Sequence, residues 1–171
     1  MQIKKLRIDP NWESRLESIG YGYHTLGGVP YWVDDYYYEI RAKDADLIYK
    51  ATTELWDMCL QAVEYIIQNK LYSKFHIPAY MIHHVERSWE NDEPSIYGRF
   101  DFAFDTAHNE IKMLEFNADT PTSLFETGIV QWYWKNHYFP ELTDQFNSIH
   151  EQLIDSWKNL KPYLKGEILH F

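Results

Sequence analysis

Two short runs narrow the folds open to this chain. Tyr97-Gly98-Arg99-Phe100-Asp101-Phe102-Ala103-Phe104-Asp105 and Ile111-Lys112-Met113-Leu114-Glu115-Phe116-Asn117-Ala118-Asp119 each alternate with a period of two, as half-buried strands do. The connection from Asp105 to Glu110 is rich in turn formers, so the pair reads as a β-hairpin. Phe100, Phe102 and Phe104 share one face, an ordinary core face. The other face carries Arg99 and Asp101 on the first strand and Glu115 and Asn117 on the second, and each pair, two residues apart, points one way. If the turn sets Asp101 opposite Glu115, Arg99 falls opposite Asn117 and four polar groups converge. Two carboxylates, an amide oxygen and a guanidinium suit a hard divalent cation beside a phosphate. A solvated face with a cross-strand ion pair is the alternative. The turn that follows, Asn117-Ala118-Asp119-Thr120-Pro121-Thr122-Ser123, concentrates acceptors and hydroxyls just before a helix-like run, where they could cap the helix or hold a polar ligand.

Elsewhere the pattern is helical. Asn11 to Ile19 reads as a short helix, followed by a loop through Gly20, Gly22, Gly27 and Gly28, and Tyr31 to Ile40 reads as extended. From Asp44 to Gln68, the residues Ile48, Ala51, Leu55, Met58, Cys59, Ala62, Ile66 and Ile67 recur at three- and four-residue spacing and form one apolar stripe. Pro78 opens a helix over Ala79 to Trp89. Another runs from Ser123 until Pro140 stops it after Tyr138, and Leu142, Phe146, Ile149, Leu153, Ile154, Trp157 and Leu160 trace a last one up to Pro162. The fold class is α+β, mostly helical with an antiparallel β-hairpin. No repeat or low-complexity linker interrupts it.

The strand Gly98-Arg99-Phe100-Asp101-Phe102, the strand Leu114-Glu115-Phe116-Asn117-Ala118-Asp119 and the following Thr120-Pro121-Thr122-Ser123-Leu124-Phe125-Glu126 closely resemble the synthetase module of the glutathionylspermidine synthase family, and its stand-alone bacterial relatives in particular. Gly27-Gly28-Val29-Pro30-Tyr31-Trp32, the run through Tyr36-Tyr37-Tyr38-Glu39 and Gln131-Trp132-Tyr133-Trp134 fit the same family. The resemblance implies the N-terminal part of an ATP-grasp-like fold and a ligase that uses ATP and Mg2+ to form an amide. A peptide-like carboxylate such as that of glutathione becomes an acyl phosphate, which the amine of a polyamine attacks. Residue by residue, Arg99 matches the arginine that contacts the transferred phosphate, and Asp101, Glu115 and Asn117 match the magnesium ligands. Thr120 and Thr122 stand where the family has two serines that bind the thiol tripeptide, and Ser123 adjoins them. With threonines at these positions, the acid that is bound stays open.

An ATP-grasp ligase also needs a second lobe to enclose the nucleotide. The chain ends on Lys165-Gly166-Glu167-Ile168-Leu169-His170-Phe171, which reads as a strand just beginning. The expectation is therefore that residues 1–171 form the N-terminal portion of a synthetase module whose ATP-clamping remainder is absent, a fragment inactive alone. A non-catalytic binding module derived from that family is the alternative.

Composition bounds the partners. A net charge of −10 opposes binding to nucleic acid and to anionic membranes. No apolar span of about 20 residues appears, and Met1-Gln2-Ile3-Lys4-Lys5 lacks the apolar core of a signal peptide, so the expected location is cytoplasmic. The single cysteine, Cys59, allows no internal disulfide and reads as a buried helix position. Four other features take structural readings. His83 and His84 are adjacent on a helix and cannot chelate one metal together. Asp34, Asp35 and Glu39 read as an exposed acidic run, Trp132 and Trp134 as core, and Glu126 as favoured by its helix dipole. Gly27-Gly28 lacks the pattern of a phosphate loop.

Overall fold

A computed structural model describes residues 1–118, 121–143, 145, 147–164 and 166. The chain divides into two units: Met1–Arg41 with Ala118–Phe171, and Ala42–Asn117. The architecture is α+β, mostly helical with small antiparallel sheets, as the sequence predicts.

The first unit contains β1 (Gln2–Lys5), α1 (Trp12–Ser18), β2 (Thr25–Leu26), β3 (Val29–Pro30), β4 (Tyr36–Glu39), α4 (Gln131–Tyr138) and α5 (Ile149–Leu160). Helix α1 ends because Gly20 adopts φ +86°, a left-handed conformation that costs glycine little. Gly20 N–H then donates to Glu17 C=O (2.9 Å) and Tyr21 N–H to Leu16 C=O (3.0 Å), a Schellman closure. That closure delivers Tyr21 to a small core with Leu16 and Val130, bordered by Trp12, Ile19 and Trp32. Gly27 and Gly28, both at positive φ, form the two-residue turn that joins β2 to β3. The sequence reading made this region a loop.

Two further differences appear in this unit. The segment expected to be extended from Tyr31 is a strand only over Tyr36–Glu39, where β4 pairs with β1, a partner the pattern did not announce. Before it, the chain bends inward and buries Asp34, so the expected exposed acidic run is corrected at its first member. The Asp34 carboxylate accepts two bonds from Arg15 Nη2 (3.0 and 3.2 Å), one from Trp32 Nε1 (3.2 Å) and a short one from the Tyr138 hydroxyl. Burial, with the bond to Asp34, raises the Tyr138 pKa. Asp9 flanks the cluster, 3.6 Å from Arg15 Nε and 3.3 Å from His137 Nε2. Trp134 packs against Tyr37, Tyr138 and Phe139, as the core reading expects, while Lys135 Nζ lies 3.9 Å from the centre of the Trp132 ring.

Helix α4 is entered through a π-helical turn, Glu126–Val130, which the sequence pattern did not show. Helix α5 begins only at Ile149, where the Asn147 side chain accepts the Ile149 N–H (3.2 Å). The predicted start near Leu142 was therefore too early. Phe146 and the expected final strand, apart from Gly166, lie outside the described residues.

The second unit holds α2 (Ala42–Gln68), α3 (Ile82–Glu90, entered through a 3₁₀ turn at Ala79–Met81), β5 (Arg99–Asp105) and β6 (Glu110–Asn117). The link from α2 to α3 is fixed by Glu86, whose Oε1 accepts from Lys70 Nζ and from the hydroxyl of buried Tyr72, both at 2.6 Å. The α2 stripe is only half covered: Leu55, Ile66 and Ile67 are half-buried, and Met58 and Ala62 are exposed. Cys59 is half-buried and in no disulfide, less enclosed than expected. His83 and His84 are exposed, with ring centres 3.7 Å apart. No helix among the described residues is long and apolar enough to cross a membrane.

Asp34→Ala removes the anion from a cluster in which Arg15 is itself largely buried, and should lower unfolding free energy by about 3–5 kcal/mol. Urea denaturation of the variant checks this.

Candidate active site

The β5–β6 register brings the four predicted polar residues together. Arg99 lies opposite Asn117, and Asp101 lies opposite Glu115. Arg99 grips Asp101 with Nε to Oδ1 at 2.7 Å and Nη2 to Oδ2 at 3.3 Å, and its Nη2 reaches within 4.0 Å of Glu115 Oε1. Asn117 Nδ2 donates to Glu115 Oε1 (2.8 Å). The hydrogen bonds from Arg99 hold the Asp101 carboxyl below its ordinary pKa, and Asp101 in turn raises the guanidinium.

This arrangement does not follow from strict alternation. In an unbroken period of two, Ile111 and Met113 would share a face with Glu115 and Asn117. Instead the register shifts between Asp101 and Phe102: Asp101 faces Glu115, but Phe102 faces Met113. Leu114 is the extra residue of a β-bulge and is 67% exposed. Ile111 and Met113 consequently oppose Phe104 and Phe102 on the apolar face, while Glu115 and Asn117 oppose Asp101 and Arg99 on the polar face. The signal for the bulge was present in the sequence, because Met113 and Leu114 are adjacent apolar residues.

The apolar side supports the polar one. Phe116 stacks on Phe100 with centroids 4.2 Å apart, and its ring meets Trp56 of α2 edge-on at 5.9 Å. Gly98 makes room for this stack, since a Cβ there would sit 2.8 Å from Phe116 Cε2. Sequence reasoning gave Gly98 no role.

The donor set suits magnesium better than a softer metal. The candidate ligands are the oxygens of Asp101, Glu115 and Asn117, which a small hard cation prefers. No group of three or more His, Cys, Asp or Glu side chains suited to a metal occurs among the described residues, so a cation on this face depends on the asparagine amide as third ligand. Its nitrogen already serves Glu115, so the amide oxygen is the atom it would offer.

Of the predicted substrate residues, Thr122 and Ser123 belong to the first unit, and Thr120 lies outside the described residues. Thr122 is exposed. Ser123 has φ +70°, unusual for a residue other than glycine, and its carbonyl accepts both the N–H (3.1 Å) and the hydroxyl (2.7 Å) of Thr127. Three residues on, Glu126 Oε1 accepts from the Tyr21 hydroxyl (3.2 Å), and burial with the adjacent Glu126 charge raises the Tyr21 pKa strongly.

Relatives of this chain carry ligase or synthetase names. It is 40% identical over 156 residues to a Haemophilus influenzae protein described as "Putative acid--amine ligase", a match covering 89% of this chain and 39% of that protein. It is 26% identical over 159 residues to the bifunctional glutathionylspermidine synthetase/amidase of Escherichia coli, covering 91% of this chain and 25% of the relative. It is also 32% identical over 83 residues to trypanothione synthetase of Crithidia fasciculata, covering 48% and 13%. The chain belongs to the glutathionylspermidine synthase preATP-grasp family, whose model matches residues 3–171. It spans about two fifths of the Haemophilus relative's length and a quarter of the Escherichia coli one's.

Two measurements probe the hairpin. Asp101 should titrate below the ordinary aspartate value of about 3.9, and Arg99→Ala should move it back up, as read from carboxyl carbon chemical shifts. Because the folded value is depressed, the Asp101–Arg99 pair stabilises the hairpin above the unfolded pKa, and that contribution is lost as pH falls through the folded one. Gly98→Ala should overpack the Phe116 ring and cost about 1–3 kcal/mol in chemical denaturation.

Proposed function

We propose that this chain supplies the metal- and phosphate-binding face of an ATP- and Mg2+-dependent carboxylate–amine ligase. The observation that carries this reading is the bulged β5–β6 register, which gathers Arg99, Asp101, Glu115 and Asn117 on one face of a rigid hairpin. In the proposed reaction a carboxylate oxygen of a peptide-like acid attacks the γ-phosphorus of ATP and ADP departs. An amine nitrogen then attacks the acyl phosphate carbonyl, phosphate leaves, and the amide forms.

Asp101, Glu115 and Asn117 would hold Mg2+ through oxygen. When bound, the ion would supply positive charge that offsets the negative charge developing on the transferred group. Arg99 presents a planar fork that stays protonated throughout and matches phosphoryl oxygens two at a time. Its present grip on Asp101 orients that fork before any phosphate arrives. Fixed placement matters here because phosphoryl transfer depends mainly on position and electrostatics. Binding two anionic reactants in a chain of net charge −10 requires such local cations.

Thr120, Thr122 and Ser123 are proposed to receive the acid. Relatives named for glutathionylspermidine and trypanothione synthesis support a peptide-like acid such as glutathione and a polyamine as the joined pair.

Calorimetric titration of Mg2+ with ATP into the chain should give a metal-dependent heat that Asp101→Ala/Glu115→Ala abolishes while circular dichroism stays unchanged. Equal metal-dependent binding by the double variant overturns the assignment.

A further inference from the structure

One buried titratable side chain takes no part in the proposed chemistry: Tyr21, which is 4% exposed. Its ring is placed from the α1 side. Leu16 and Val130 share its core, Trp32 meets it edge-on with ring centres 6.0 Å apart, and Phe125 lies against it at 5.8 Å. Its hydroxyl donates to Glu126 Oε1 (3.2 Å), and among the described residues no other hydrogen bond or ion pair holds that carboxylate. Glu126 opens the π-helical turn Glu126–Val130, three residues after Ser123. Ser123 stands at φ +70°, a left-handed conformation that a side chain makes costly and that persists only where its surroundings impose it. Both bonds from Thr127 to the Ser123 carbonyl close within the turn, so they fix its shape and not its direction. Packing of Phe125 and Val130 brings the turn to the core, but apolar contact is non-directional. The Tyr21–Glu126 bond is directional, and it ties the turn to a residue 105 positions away.

We propose that Tyr21 is a positioning residue for the turn that presents Thr122 and Ser123: by holding Glu126 it sets the direction in which that pair faces. This role rests on the reading in which the two residues receive the acid, although the clamp itself needs no ligand. The phenol suits the task. Burial and the Glu126 charge hold its pKa well above the ordinary tyrosine range, so it stays a donor at every working pH. A hydrogen bond to an ionised acceptor is also stronger than one between neutral groups. The Schellman closure after α1 places the ring independently of the turn, so the anchor does not move with what it anchors. A turn oriented in advance leaves less ordering cost to fall on binding.

Residual dipolar couplings of backbone N–H groups, measured by NMR on the full chain, test the clamp because they report direction. In the parent, the couplings of Thr122, Ser123 and Thr127 should fit one alignment with those of α1. Tyr21→Phe keeps the ring and removes only the hydroxyl. It should take the three turn couplings out of that common alignment while those of Trp12–Ser18 stay as they were. Exchange of the Thr127 amide, bonded to the Ser123 carbonyl, should quicken about tenfold, the effect of losing one hydrogen bond to a charged group. Glu126→Gln keeps an acceptor oxygen for Tyr21 and should retain the parent couplings, whereas Glu126→Ala should match Tyr21→Phe. Unchanged turn couplings in Tyr21→Phe, or equal changes in the turn and in α1 as a general loosening of the core would give, overturn the proposal. Glutathione enters none of these measurements, so a failed clamp and a failed acid assignment give different results.

Discussion

The polar face of the hairpin exists because β6 contains one residue more than its partner strand requires. On a pleated strand, side chains alternate strictly, so an apolar set and a polar set on one face can be separated only by a break in the count. The bulge at Leu114 makes that break. It lets Ile111 and Met113 lie opposite the phenylalanines of β5 while sending Glu115 and Asn117 to the face of Arg99 and Asp101. Bulges re-aim side chains and increase local twist, and here the re-aimed residues are the ones with functional chemistry. The Phe100–Phe116 stack and the space left by Gly98 fix the register on the other side.

A comparable constraint organises the first unit around one buried carboxylate. Asp34 ties together α1 through Arg15, α4 through Tyr138, and the loop before β4 through Trp32. A buried acid of this kind is held by the donors around it, and removing Arg15, the charged one of the three, would strip the carboxylate of its counter-charge. The same geometry explains why the acidic run near Asp34 does not behave as a solvated surface. Its first member turns inward at the bend, while Asp35 uses its carbonyl to accept the Leu6 N–H (2.8 Å) beside the β1–β4 pair.

Much of the fold was legible in the sequence where the signal was local. The 27-residue helix α2 announced itself through its three- and four-residue spacing, the hairpin through its alternation, and the end of α4 through Pro140. The elements that escaped notice were non-local or exceptions to a period. Strand β1 carries four residues with no pattern until β4 pairs with it, and the π-helical turn before α4 differs from an α-helix by one residue in its bonding. Helix α5 started later than its apolar spacing implied, because a polar side chain at Asn147 captures the first free N–H.

For the candidate site, the sequence by itself determined which residues share a strand face, while their convergence depended on the register between the strands. Arg99, Asp101, Glu115 and Asn117 were fixed as two pairs by their spacing, and their resemblance to family motifs gave each a role to be tested. Tertiary structure decided what spacing cannot express. It placed the bulge, oriented the Arg99 fork onto Asp101, and turned Asp34 inward onto Arg15, Trp32 and Tyr138. The physical reason is that alternation and helical periodicity are properties of one segment, whereas register, burial and hydrogen-bond partners depend on what another segment brings alongside.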